Sequence, residues 1–228
     1  DVYKRQVLSD QLTYWKEKLE DFNETLEIPS ELPRNSNWSN TGKKISYKMT
    51  GISKDTIKEI CKENNVTPYV FLLSAFGVLL QKYSGMKTVT IGSPVLGRKN
   101  TAIEELIGYF VNTVVMKLDG RDNPSFKEFL RSVKEDTVDS LNNQDVPFEK
   151  VVEAVHPVRN TEKNPLFQVM FVLNNMDMEE IDFPDVEVRT LPIHNNTAKF
   201  DLMFVLEERD DGYVVNIEFD SNLSLIHI

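Results

Sequence analysis

His156, His194 and His227 are the three side chains best suited to move protons near neutral pH. They lie far apart in the chain, and none has a second His, Cys or Glu at a metal-ligand spacing, so the sequence offers no metal site. His194, just beyond a strand expected to end at Leu191, is the one to watch. There is no Gly-rich phosphate loop, serine elbow or Cys-X-X-Cys, which leaves phosphoryl transfer, serine hydrolysis and dithiol exchange without their usual signatures. Glu104-Glu105 and Glu179-Glu180 are adjacent in sequence, point in different directions, and read as solvated surface rather than an acid/base pair. On its own residues the chain has no assignable catalytic group.

Other segments are harder to account for by packing. Ile91 to Arg98 (Ile-Gly-Ser-Pro-Val-Leu-Gly-Arg) is followed by Ile107 to Thr113 (Ile-Gly-Tyr-Phe-Val-Asn-Thr). Asn143 to Glu149 reads Asn-Gln-Asp-Val-Pro-Phe-Glu, and Arg159 to Leu166 reads Arg-Asn-Thr-Glu-Lys-Asn-Pro-Leu. Taken singly, Gly92, Pro94, Gly97 and Gly108 are turn punctuation, Asp145 is a helix cap and Arg159 a surface charge. Their joint occurrence in this order departs from chance.

The elements that must position these segments follow from periodicity. Leu12, Trp15, Leu19 and Phe22 recur at helical spacing over 8–22, and the Pro-, Ser- and Asn-rich stretch 23–42 reads as a surface connection before a strand over 43–50. Ser53 caps a helix burying Ile57, Ile60 and Cys61. Thr67-Pro68 starts a second helix, to about Tyr83, that is apolar nearly all round and belongs at the centre of the fold, with Phe71, Phe76, Leu79 and Leu80 as core. Strands are expected at Thr88–Val95 and Phe110–Leu118. Asn123-Pro124 and Asp145 with Pro147 open two further helices. Strands follow at Phe167–Leu173, Val186–Leu191, Phe200–Glu207 and Tyr213–Asp220, the last two joined by an Asp210-Asp211-Gly212 hairpin. On the strand Phe110–Leu118, Phe110 and Asn112 share one face and Val111 the other. This places Val111 in the core and leaves the Asn112 amide free to meet a substrate carbonyl. The whole is α/β, a mixed sheet with packed helices and no internal repeat.

Composition bounds the partners. The chain has 228 residues, 40% of them hydrophobic, and a formal net charge of −10, so it can bury a core and is a poor ligand for nucleic acid. The single cysteine, Cys61, forms no internal disulfide, the most apolar stretch, Tyr69 to Leu80, is too short to span a membrane, and the N-terminus lacks an apolar signal core, which fits a cytoplasmic protein without a membrane partner.

The segments 107–113, 144–149 and 159–166 resemble, in order, the fifth to seventh motifs of condensation domains of nonribosomal peptide synthetases: Ile-Gly-X-Phe-Val-Asn-Thr, Gln-Asp-X-Pro-Phe-Glu and Arg-Asp-X-Ser-Arg-Asn-Pro-Leu. Gln11 to Lys16 and Lys199-Phe-Asp-Leu agree as well. Asn160, Glu162 and Lys163 depart from the third pattern, and the family's His-His-X-X-X-Asp-Gly signature is absent. The resemblance implies one chloramphenicol-acetyltransferase-like lobe, residues 7–223, the C-terminal half of a condensation domain; the end segments 1–6 and 224–228 resemble translated sequencing adapters and are expected to be non-native tails. It implies an amide-forming acyltransferase, working in a tunnel between two lobes, whose histidines lie in the N-terminal lobe, so that this chain alone is inactive. No cofactor is bound directly: substrates arrive on the phosphopantetheine arms of donor and acceptor carrier domains, beside an adenylation domain. Gly92, Pro94, Arg98, Gly108, Phe110, Asn112, Thr113, Gln144, Asp145, Pro147, Phe148, Glu149, Arg159, Asn164 and Pro165 are the tunnel or inter-lobe candidates. An epimerization lobe and a non-catalytic carrier-docking module are the alternative members of the same fold.

Overall fold

The computed structural model describes residues 2–20, 26–29, 41–98, 106–156, 163–174, 186, 191 and 193–223, with side chains from residue 6 onward. Helix α1, Val2–Lys18, buries Trp15 and, one residue past its end, Leu19. It runs earlier than the apolar spacing indicates and stops sooner, with Lys16 and Lys18 in a last turn whose dipole favours cations. Strand β1, Gly42–Lys48, leads to α2, Lys54–Asn64, where the Ser53 hydroxyl accepts the Thr56 N–H at 3.0 Å and Ile57 and Cys61 face inward. Helix α3, Pro68–Ser84, is capped by Thr67 and buries Val70, Leu72, Leu73, Phe76 and Leu80; Phe71 is half-buried and Leu79 lies at the surface.

Strands β2, Thr88–Val95, and β3, Asn112–Asp119, are followed by α4, Phe126–Asn142, and α5, Phe148–Val155. Both helix starts differ from expectation. Asn123 has a left-handed φ of 49°, which turns the chain before the helix, and the extended Ser125 takes the cap in a reciprocal box with Glu128. At α5 the cap position is Pro147, which has no side-chain bond to give; Asp145 lies two residues upstream and is engaged elsewhere. Strands β4, Val169–Asn174, β5, Leu202–Arg209, and β6, Gly212–Asp220, complete the chain, with Asp210 and Asp211 forming the turn between paired Arg209 and Gly212. The strand expected over Val186–Leu191 lies outside the described residues except at its two ends.

The strands form one mixed sheet in the order β1-β6-β5-β4-β2-β3, parallel at β2–β4 and β4–β5 and antiparallel elsewhere. Phe76 of α3 stacks on Phe204 of β5 at 4.5 Å and on Phe171 of β4 at 5.5 Å, which sets α3 against one face of the sheet. Tyr69 of the same helix donates to Ser93 Oγ at 2.8 Å; burial pushes this phenol up to about 12, so it stays a neutral donor. Ser93 therefore faces α3 and Gly92 the opposite side, where the Phe167 ring lies against it. Phe167 packs at 5.5 Å on Phe148 of α5 and at 5.4 Å on Phe200. The second face of β2 is thus covered by α5 and the approach to β5.

Candidate functional site

Where β3 begins, an open cleft of about 400 Å³ separates two walls. One wall is formed by Gly97 and by Tyr109, Phe110, Val111, Asn112 and Thr113, the other by Gln144, Asp145, Pro147, Phe148 and Glu149. Two of the motif segments singled out in the sequence, far apart along the chain, are thereby face to face.

The first wall is a loop closed on itself. The Arg98 guanidinium lies 4.4 Å from the centre of the Phe110 ring and donates to the Leu106 carbonyl at 2.8 Å. Gly97 adopts φ +65°, and a side chain there would meet the Phe110 carbonyl oxygen at 2.1 Å, so the close approach requires glycine. Gly108 sits against the edge of the same ring. Strand β3 starts only at Asn112, because Phe110 and Val111 are drawn into this loop; Val111 is exposed rather than in the core. Pro94 pairs with Thr113 beneath the cleft, and Gly92 with Phe167 supports Phe148 from below.

The second wall is held by hydrogen bonds from distant elements. Asn112 Nδ2 donates to the carbonyls of Gln144 and Val146, each at 2.8 Å, and Asn112 Oδ1 accepts the Phe148 N–H at 3.1 Å. Both N–H donors of the amide are committed to the chain and its oxygen already accepts one backbone N–H, which corrects the expectation of an Asn112 amide free for substrate. Asp145, expected as a helix cap, is instead bracketed by Gln11 of α1. Its N–H donates to Gln11 Oε1 at 3.1 Å and its carboxylate accepts from Gln11 Nε2 at 2.9 Å. Trp15, one helical turn on, donates its indole N–H to the Asn143 carbonyl at 2.9 Å. Gln11 and Trp15 were not among the sequence-derived candidates. Their i, i+4 spacing, which puts a polar and an aromatic side chain on one helix face, was the available signal.

Asn164 and Pro165 are not in the cleft. Asn164 Nδ2 donates to the Lys199 carbonyl at 3.2 Å and the Asn164 carbonyl accepts from Gln168 at 2.8 Å, tying the end of the third motif to the approach to β5. Arg159 lies outside the described residues. His194 lines a separate cleft of about 340 Å³ over β1, β5 and β6. Its Nδ1 accepts the Asn196 N–H at 3.2 Å, so a neutral ring carries its proton on Nε2, which lies 3.1 Å from Glu218. Both nitrogens are hydrogen-bonded, and the ring ties its loop to β6. His156 is the left-handed residue ending α5. Among the described residues no three His, Cys, Asp or Glu side chains are grouped to hold a metal ion, and no single helix is long and apolar enough to cross a membrane.

A mixed six-stranded sheet of this order, backed by helices and carrying a motif-lined cleft, is the architecture to compare with known proteins. The chain superimposes with a TM-score of 0.85 on the X-domain of teicoplanin biosynthesis, at 21% identity over 95% of this chain and 48% of that one. Against a four-domain nonribosomal peptide synthetase bound to AMP and glycine, the TM-score is 0.83 at 24% identity, covering 93% of this chain and 17% of the other. In sequence, the condensation-domain family model matches residues 1–223. A linear gramicidin synthase of Brevibacillus parabrevis is 36% identical over 224 residues, 97% of this chain and 4% of that protein. Malpinin synthetase of Mortierella alpina is 35% identical over 216 residues, 95% of this chain and 3% of that protein. The chain belongs to the condensation-domain family of nonribosomal peptide synthetases, a family that forms peptide bonds.

Proposed function

We propose that this chain is the C-terminal lobe, over residues 7–223, of a condensation domain, and that its cleft forms one wall of the channel in which a donor acyl or peptidyl thioester meets an acceptor aminoacyl thioester. The acceptor amine nitrogen attacks the donor carbonyl carbon. A C–N bond forms, the C–S bond breaks, and the proton lost by the amine ends on the departing pantetheine thiol. The single observation that carries this reading is the meeting of the segments 107–113 and 144–149 across one cleft, with backbones fixed by Asn112, Gln11 and Trp15.

The contribution of this half is positioning. Holding two reactants aligned can supply about 7–11 kcal/mol of barrier reduction without any proton transfer by the wall itself. Proton handling belongs to histidines of the N-terminal lobe, which, with donor and acceptor carrier domains and an adenylation domain, completes the assembly. Substrates come on the phosphopantetheine arms of those carriers, so this chain holds no cofactor of its own.

The test is a single-turnover assay on the parent synthetase with both carriers loaded. Amide product is expected from the parent and none from the present chain alone. Exchange of the substrate α-hydrogen without amide would indicate an epimerization lobe, and carrier binding without turnover a docking module.

A further inference from the structure

Helix α5 begins without a side-chain cap from its own segment. Its cap position is Pro147, whose side chain accepts nothing, and the first helical N–H, that of Phe148, is one of the donors every helix start leaves over. Asn112 Oδ1 takes that N–H from a different element, the first residue of β3. Its Nδ2 meanwhile reaches the carbonyls of Gln144 and Val146, so one side chain binds alternate residues along the whole 144–148 turn. Asn112 also belongs to the opposite wall, continuous with Phe110 and Val111. A single amide thus spans the base of the cleft.

We propose that Asn112 is a positioning residue that sets the separation of the two cleft walls for acyl transfer, an assignment that rests on the function proposed above. A rotated or shortened side chain would leave α5 anchored through Phe148 and Phe167 and the 143–145 end of the turn held by Gln11 and Trp15, while loosening the turn at Gln144 and Val146 relative to Phe110. Aspartate tests the donors separately: it keeps an acceptor for Phe148 N–H but presents a carboxylate to two carbonyl oxygens. A merely structural role for Asn112, as a borrowed helix cap, is separable by giving α5 a cap of its own. The backbone at Pro147 is already extended, at φ −56° and ψ 139°, as a serine cap requires.

The experiment uses the parent synthetase with both carriers loaded. It compares N112A, N112D, P147S and N112A/P147S for melting temperature and for single-turnover amide formation at saturating substrate, below the lowest melting temperature. N112A and N112D are expected to slow amide formation by about tenfold to a hundredfold, the scale of a small misplacement of reacting groups. Adding P147S to N112A is expected to return the melting temperature toward wild type while the rate stays as far below that of P147S alone as N112A stays below wild type. Recovery of the rate with the melting temperature, or an unaltered rate in N112D, overturns the positioning role and leaves a helix cap. An absence of amide from the wild-type parent overturns the acyl-transfer reading itself, an outcome distinct from wild-type turnover with unaffected variants. If N112A does not fold, N112D decides.

Discussion

Gly92 and Glu128 show two ways in which a residue's surroundings fix its identity. A methyl group on Gly92 would meet the Phe167 ring at 2.3 Å, and that ring is buried between Phe148 and Phe200 with no room to retreat. Gly92→Ala should therefore destabilise the chain by about 1–3 kcal/mol, the usual cost of overfilling a packed site, and a urea titration measures it. Glu128 accepts from the Ser125 hydroxyl and N–H, bonds that hold its carboxyl below the usual carboxylate range. A lowered folded value means that its contribution is present above the ordinary range and disappears as pH falls through the folded value. Glu128→Gln should lower the melting temperature slightly at pH 7, and the gap to wild type should close below about pH 4.

At the scale of elements, α1 is attached to the body of the fold by a charge as well as by Trp15 and Leu19. The Lys18 ammonium reaches Asp136 Oδ1 at 2.6 Å and Ser140 at 2.6 Å beneath the Trp15 ring, and the other Asp136 oxygen accepts the Lys117 N–H at 3.3 Å. Burial opposes the charge on both partners, lowering the lysine and raising the aspartate from their ordinary values. Removing one partner leaves the other desolvated and without the counter-charge it touches. Asp136→Ala should cost about 3–5 kcal/mol by chemical denaturation, whereas the double change Lys18→Met with Asp136→Leu should recover most of it. Because α1 also carries Gln11, loosening this helix should reach the Asp145 side of the cleft.

For the whole molecule, the loop that forms the first cleft wall presents a run of apolar side chains to solvent. Ile107 is fully exposed, Tyr109 is 90% exposed, and Leu96 and Leu106 are more than half exposed. Exposed apolar side chains on an otherwise highly charged surface favour self-association. Made alone, the chain should self-associate with rising concentration. The pair Ile107→Lys and Tyr109→Lys should return it toward the monomer in light scattering without lowering the melting temperature, since neither side chain is packed.

What the sequence determined by itself is whatever short-range patterning controls. The apolar helix α3 at the centre, Cys61 in the buried stripe of α2, strand β2 over Thr88–Val95 and the β5–β6 hairpin were all legible, because periodicity and turn chemistry act over a few residues. The motif segments were legible too, but not their use. That Val111 turns outward, that Asp145 answers to Gln11 rather than to its own helix, and that Asn112 caps α5 across 36 residues were decided by tertiary structure. The reason is physical: a side-chain amide goes wherever backbone groups lack partners. Which groups those are depends on how β3, α1 and the 144–148 turn come together in space, which no local pattern records.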